Sequence, residues 1–173
     1  EEFYQKTFFT SNEEIEARTF IGLAEVRLAQ GKLNDAINYA EKSIKINSNK
    51  IRPKIILAIA KTRLGDNEEA FTILNDLYYN KKDAEVALAI SDYYISFNEN
   101  KQALDILQEY LKKDPNNIKI LNQLAVLQLV NDNEDKAIEY KMKVYKYHEF
   151  NKNRDKQKKA KAWILSIDPK YFD

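Results

Sequence analysis

Three tracks of residues recur along this chain at one interval. Ala36, Ala70, Ala103 and Ala137 stand 34, 33 and 34 residues apart, and so do Gly31, Gly65, Asn98 and Asp132. The pairs Leu23-Ala24, Leu57-Ala58, Ile90-Ser91 and Leu124-Ala125 keep the same three intervals. A period of this length marks a stacked repeat, in which each unit is one supersecondary element that cannot bury its own apolar face and must pack on the next.

Each track has a mechanical reason. Seven residues separate the small member of each pair from the Gly, Asn or Asp that follows, nearly two helical turns. Those residue types tolerate the left-handed backbone that ends a helix. Five residues later an alanine opens the buried face of a second helix. A small side chain on each helix lets the two backbones approach, and a larger one would overpack the seam at a cost of roughly 1–3 kcal/mol. The spacing therefore predicts four helical hairpins.

Local signals agree. "SNEE" at Ser11–Glu14 reads as a capping box that opens a helix running to about Gln30. In "GDNEE", Asp66 precedes a second helix with Glu69 three residues on, and acids there suit the helix dipole. "DPNN" at Asp114–Asn117 ends a hairpin, because Pro115 disfavours helix in the residue before it. The residue missing between the second and third units is expected in the connection near Asn80–Asp83.

A 34-residue helix–turn–helix with Leu-Ala, then Gly, then Ala, and with "DPNN" before the next unit, resembles the tetratricopeptide repeat. The resemblance covers residues 17–150 as four units, 17–50, 51–83, 84–117 and 118–150. It implies an all-α fold, a right-handed α-solenoid. The repeats are degenerate: the frequent first-helix aromatic appears as Phe20 but as Lys54, Ala87 and Leu121 elsewhere, and the family's tyrosine and terminal proline are matched only by Tyr94 and Pro115. Residues 1–16, with "EFYQKTFF", read as the end of an earlier repeat and a lead-in. Residues 151–173 hold "RDKQKKAKAWILSI", a basic capping helix with Ala160, Trp163, Ile164 and Ile167 on one side. Nothing breaks helix between Lys136 and Ile167, so one long bent helix is an alternative there.

Composition removes several classes of function. The chain has 173 residues, enough for such a stack, with three Gly and three Pro, too few for a sandwich or barrel. No apolar run reaches the roughly 18–20 residues that cross a bilayer. Cysteine is absent, which excludes a disulfide framework and thiolate metal sites. The chain starts at Glu1, so an upstream export signal would have to precede it, and the compartment stays open between cytoplasmic and exported.

The inventory for catalysis is thin. His148 is the only histidine, read as a partly exposed helix residue among Tyr145, Tyr147 and Phe150. Gly22, Gly31 and Gly65 stand alone, so there is no phosphate loop. "NDNED" at Asn131–Asp135 has the carboxylates of a calcium loop without its glycine or distal glutamate, and reads as a turn. No catalytic residue, cofactor or metal is expected.

The resemblance implies a protein or peptide partner in a concave groove lined by first helices. The candidate residues are Arg18, Ile21, Glu25 and Leu28; Arg52, Ile55, Ile59 and Arg63; Glu85, Leu88, Asp92 and Ile95; and Lys119, Asn122, Val126 and Leu129. Some family members clamp a C-terminal carboxylate with a lysine and an asparagine on the first helix. Ile21 and Glu25 stand at those places in the first unit, so that mode is not expected there. An apolar groove with scattered charges suits an amphipathic helix or an extended hydrophobic segment. Gly22, inside a helix, would mark helix packing or the close approach of another backbone. Exposed apolar surface at the amino end would favour a homo-oligomer.

An alternative comes from charge. Net charge is +1, yet residues 136–170 carry eleven Lys or Arg against four acids. Lys141, Lys143, Lys146, Lys152, Arg154, Lys156, Lys158, Lys159 and Lys161 interleave with Tyr140, Tyr145, Tyr147 and Trp163. Basic side chains neutralise phosphates and rings stack on bases, so nucleic acid or an anionic surface is the second reading. Lysine rather than arginine dominates, against bidentate phosphate contact.

Overall fold

The computed structural model of the chain describes residues 2–173, with side chains from Asn12 onward. The helices fall into two compact units, Glu1–Lys82 and Asp83–Asp173. In the first, α1 (Glu2–Ala29), α2 (Leu33–Ile46), α3 (Ile51–Leu64) and α4 (Asn67–Lys81) form two hairpins. In the second, α5 (Ala84–Ser96), α6 (Asn100–Lys113), α7 (Ile118–Val130) and α8 (Glu134–Phe150) form two more, and α9 (Arg154–Leu165) packs on α8. No strand occurs among the described residues. The fold is all-α and of the solenoid class, with stacked hairpins in each unit.

The three sequence tracks have the roles their chemistry dictates. Ala24, Ala58, Ser91 and Ala125 are fully buried, as are Ala36, Ala70, Ala103 and Ala137. Gly31, Gly65, Asn98 and Asp132 all take positive φ, between 55° and 95°. At each, the next residue's N–H reaches back five residues, as in Lys32 to Arg27 O and Asp66 to Lys61 O, both 2.9 Å. This double-looped cap satisfies carbonyls that the helix end would otherwise strand.

The missing residue lies where the sequence suggested, by an uneven trade. α4 is one residue longer than α2 and α6, while the link from α4 to α5 is two residues, Lys82 and Asp83, against four in the corresponding links. Lys82 turns the chain at φ 45°, and the Asp83 carboxylate accepts the Glu85 N–H at 2.8 Å to start α5. α6 stops before Asp114 and Pro115, and Asn117 caps α7 by accepting the Ile120 N–H at 3.2 Å.

Two local expectations need correction, at "SNEE" and at Gly22. α1 passes through Ser11, so "SNEE" opens no helix; no Gly or Pro precedes it to interrupt the backbone. The reading of residues 1–16 as the end of an earlier repeat rests on "EFYQKTFF", whose side chains lie outside those described. Asp66 does precede α4, with Glu68 and Glu69 in the first turn, though its side chain makes no cap bond and Glu69 pairs with Lys61 at 2.7 Å. Of the two readings of the stretch from Lys136, the separate capping helix holds and the single long helix does not: Lys152 takes φ 53°, the Asn153 N–H reaches His148 O at 2.9 Å, and the Asn153 side chain caps α9 at Lys156 N. Finally, Gly22 marks no close approach, since a Cβ there would meet nothing within 4 Å among the described residues.

Each unit has its own apolar centre. In the first, Ala24, Ala40, Ile56 and Leu57 gather Ile21, Leu28, Ile37, Tyr39, Ile44 and Ile73. In the second, Leu121 of α7, Val144 of α8 and Ala160 of α9 gather Leu111, Ile118, Tyr140 and Tyr145. The third helix of that cluster is the one outside the repeat, so α9 closes the last hairpin through the same small-residue contact that joins the others.

Candidate functional site

In the first unit, α1 and α3 present their outer turns side by side. A concavity of about 240 Å³ between them is lined by Glu25, Leu28, Ala29, Arg52, Ile56, Ile59 and Arg63. Its floor is aliphatic and its charges are engaged within the chain. Arg52 Nε meets Glu25 Oε1 at 2.6 Å, and Arg63 Nη1 donates to Leu28 O at 3.2 Å. Arg18 turns along its own helix to Glu14 at 2.9 Å, away from the concavity. Lys50 also reaches that carboxylate at 2.7 Å, and the two cations hold Glu14 below the usual carboxylate range.

Two of the expected residues behave differently. Ile55 is 2% exposed and cannot meet a partner. α3 carries the unbroken apolar run Ile55–Ala60, and a helix that is apolar on every side is enclosed rather than amphipathic. Ile21 is partly buried and packs against the core.

In the second unit, α5 offers Glu85, Leu88 and Ile95, partly buried, and Asp92, exposed at its rim. α7 offers Lys119, exposed, Val126, 47% exposed, and Leu129, partly buried. Gln123 of α7 donates to Asp92 Oδ1 at 2.9 Å, tying the two first helices together. The protein packed around Asp92 raises its carboxyl above the usual range, desolvation being the cause. Asn122 accepts from Lys141 Nζ of α8 at 2.8 Å and lines a pocket shared with α8 and α9.

There the structure adds Asn122 and His148 to Lys141, Lys156, Lys159 and Trp163, which the sequence had already grouped. A second pocket, about 430 Å³, is lined by Ile118 and Asn122 of α7, Lys141, Val144 and His148 of α8, and Lys156, Lys159, Ala160 and Trp163 of α9. His148, expected to be partly exposed, is 8% exposed, while Phe150 two residues on is 87% exposed. Desolvation first, then Lys156 and Lys141, push the His148 imidazolium below its ordinary range. Desolvation alone pushes the Lys141 ammonium down.

The basic stretch is less free than its composition implies. Lys141 lies over Trp163 at 4.8 Å, Lys143 over Tyr140 at 5.3 Å and Lys161 over Phe172 at 4.6 Å. Tyr145 packs on Phe172 with centroids 5.5 Å apart. Lysines and rings that would serve a nucleic acid are thus partly spent on one another. "NDNED" forms a turn in which Asp132 is left-handed and Asn133 accepts from Lys136 N. No group of three metal-ligating side chains occurs among the described residues.

Comparison with known proteins meets the same geometry. Residues 106–139 match the family model described as the tetratricopeptide repeat, a span from the middle of α6 through α7 into α8. That span of 34 residues carries the tetratricopeptide repeat. No curated protein matches it. Among solved structures it is similar to TTC0263, a thermophilic protein of this type from Thermus thermophilus, at 17% identity and TM-score 0.60, over 91% of this chain and 94% of that one. It is similar to MamA at 18% identity and TM-score 0.54, over 91% and 96%. YrrB, described as a tetratricopeptide-repeat protein with an unusual peptide-binding site, aligns at 14% identity and TM-score 0.50, over 97% and 93%. At these identities the likeness is one of fold. No helix among the described residues is long and apolar enough to cross a membrane.

Proposed function

We propose that the protein is a non-enzymatic scaffold that holds a peptide or an amphipathic helix of a partner protein on its first-helix faces. The observation that carries this reading is the concavity between α1 and α3, with partly exposed Leu28 and Ile59 between the Arg52–Glu25 pair and Arg63. An aliphatic strip flanked by oriented charges suits the apolar face of a helix, which buries anchor side chains one turn apart and sets its polar rim against the charges. Leu88 and Ile95 of α5 with Val126 and Leu129 of α7 supply a comparable strip in the second unit. The repeat fold supports a protein partner, since its regular role is to stack hairpins into a binding surface.

Photo-crosslinking side chains at Ile59, at Val126 and at Tyr79, which is 69% exposed on the second helix α4, test the reading in native cells. Adducts to a protein partner are expected from Ile59 and Val126 and not from Tyr79. Adducts from Tyr79 alone would move the interface to the second helices and discard the first-helix faces.

A further inference from the structure

Lys141 is drawn in among α7, α8 and α9 without a carboxylate to meet it. Its Nζ donates to Asn122 Oδ1 at 2.8 Å and faces the Trp163 ring at 4.8 Å. Asn122 is held in turn, because its Nδ2 donates to Ile118 O at 2.8 Å. That bond fixes the amide with its oxygen towards the lysine. His148 lines the same pocket, and Lys156 and Lys159 bring two further ammonium groups from α9. No Asp or Glu lines it among the described residues. A partly desolvated ammonium compensated by one neutral amide and one ring face is short of negative charge.

We propose that this pocket binds the side-chain carboxylate of an acidic peptide segment. The head meets Lys141 in the interior and Lys156 and Lys159 from α9. The aliphatic stem lies along Ile118, Val144 and Trp163. Three features favour that occupant over a phosphodiester strand. The lining has no guanidinium to grip phosphate in two-point fashion. A face of the only tryptophan is already taken by Lys141, where a base would have to stack. The apolar walls match a methylene stem and would desolvate a sugar-phosphate chain without compensation. The site differs from a clamp on a chain terminus, since its central ammonium comes from the second helix of a hairpin and its ligand is an internal side chain. It stands whether or not the first-helix faces hold a partner.

Trp163 and His148 are the only tryptophan and the only histidine, and both line this pocket. The probe is N-acetylated, C-amidated tetraglutamate, which carries side-chain carboxylates and no terminal one. Titration into the whole chain is expected to give a saturable change in Trp163 emission and a matching shift of the His148 ring resonances. Tetraglutamine should give neither. Lys141→Met should weaken binding at least about tenfold, since it removes the central charge. Lys156→Gln with Lys159→Gln alters exposed side chains only and should weaken it severalfold, which keeps the test decisive if Lys141→Met fails to fold by far-UV ellipticity. No saturable response, unchanged affinity in both variants, or inorganic phosphate or a short deoxythymidine strand binding as tightly as the peptide would each overturn the assignment.

Discussion

The buried Ser43 hydroxyl of α2 donates a 3.0 Å hydrogen bond to the Ala17 carbonyl oxygen of α1. Ser91 is equally buried on α5, at the place where the other hairpins put Ala24, Ala58 and Ala125, yet its Oγ has no partner. One hydroxyl joins two helices, and the other is desolvated without return.

Replacing each serine by alanine should therefore act in opposite directions. Ser43→Ala is expected to destabilise by about 1 kcal/mol, the net worth of a buried hydrogen bond, while Ser91→Ala should stabilise by about 1 kcal/mol. Denaturant midpoints at an unchanged slope give the measurement. A destabilised Ser91→Ala would show that its hydroxyl is satisfied after all.

Alanine at two glycines makes a second contrast. Gly22 lies inside α1 facing open space, so Gly22→Ala should gain roughly 0.5–1 kcal/mol from backbone entropy alone. Gly65 has φ 95°, and Gly65→Ala should cost about 1–2 kcal/mol by forcing a Cβ into left-handed backbone. Thermal midpoints of the two single variants should move to opposite sides of the parent.

The two isoleucines one turn apart on α3 should separate folding from binding. Ile55→Asp places an unpaired carboxylate in the core and should cost on the order of 3–5 kcal/mol, unfolding much of the first unit. Ile59→Asp, partly exposed, should cost on the order of 1 kcal/mol and act mainly on partner capture. Far-UV ellipticity beside a cross-linking yield reads both. A well-folded Ile55→Asp would mean that α3 is not enclosed.

Acid should weaken the fold through His148. Burial first, then Lys156 of α9 and Lys141 of the same helix, favour its neutral imidazole; Lys159 lines the same pocket, and α7 contributes only Asn122 and Ile118. Its folded value lies below the ordinary one of about 6.5, so the unfolded chain takes up the proton first. Stability from this group is complete above that ordinary value and is lost as pH falls towards the folded one. His148→Gln should flatten that part of the pH–stability curve, and denaturant midpoints from neutral pH downward show whether it does.

The hairpins were legible because their determinants are local. A left-handed cap needs Gly, Asn or Asp, and a close seam needs Ala or Ser, so Gly31 to Asp132 and Ala24 to Ala125 announce themselves by type and spacing. Lys152 does not, because lysine has no preference for the φ of 53° that it adopts, so the break between α8 and α9 was read from the end of the repeat and one long helix stayed open as the alternative. The pocket was only partly legible: His148 is buried and Lys141 half-buried only once α9 folds back on α8. Ile55 was readable in principle, since six apolar residues in a row leave a helix no wet side. Its period alone suggested a face shared with Ile59.

The sole indole of the chain belongs to α9, at the carboxyl end of the last hairpin. Its emission therefore follows the melting of that end alone, whereas ellipticity sums over every helix. In a repeat protein, whose stability is a chain of nearest-neighbour terms, the two curves recorded on one sample measure how far a local opening spreads before the remaining hairpins give way.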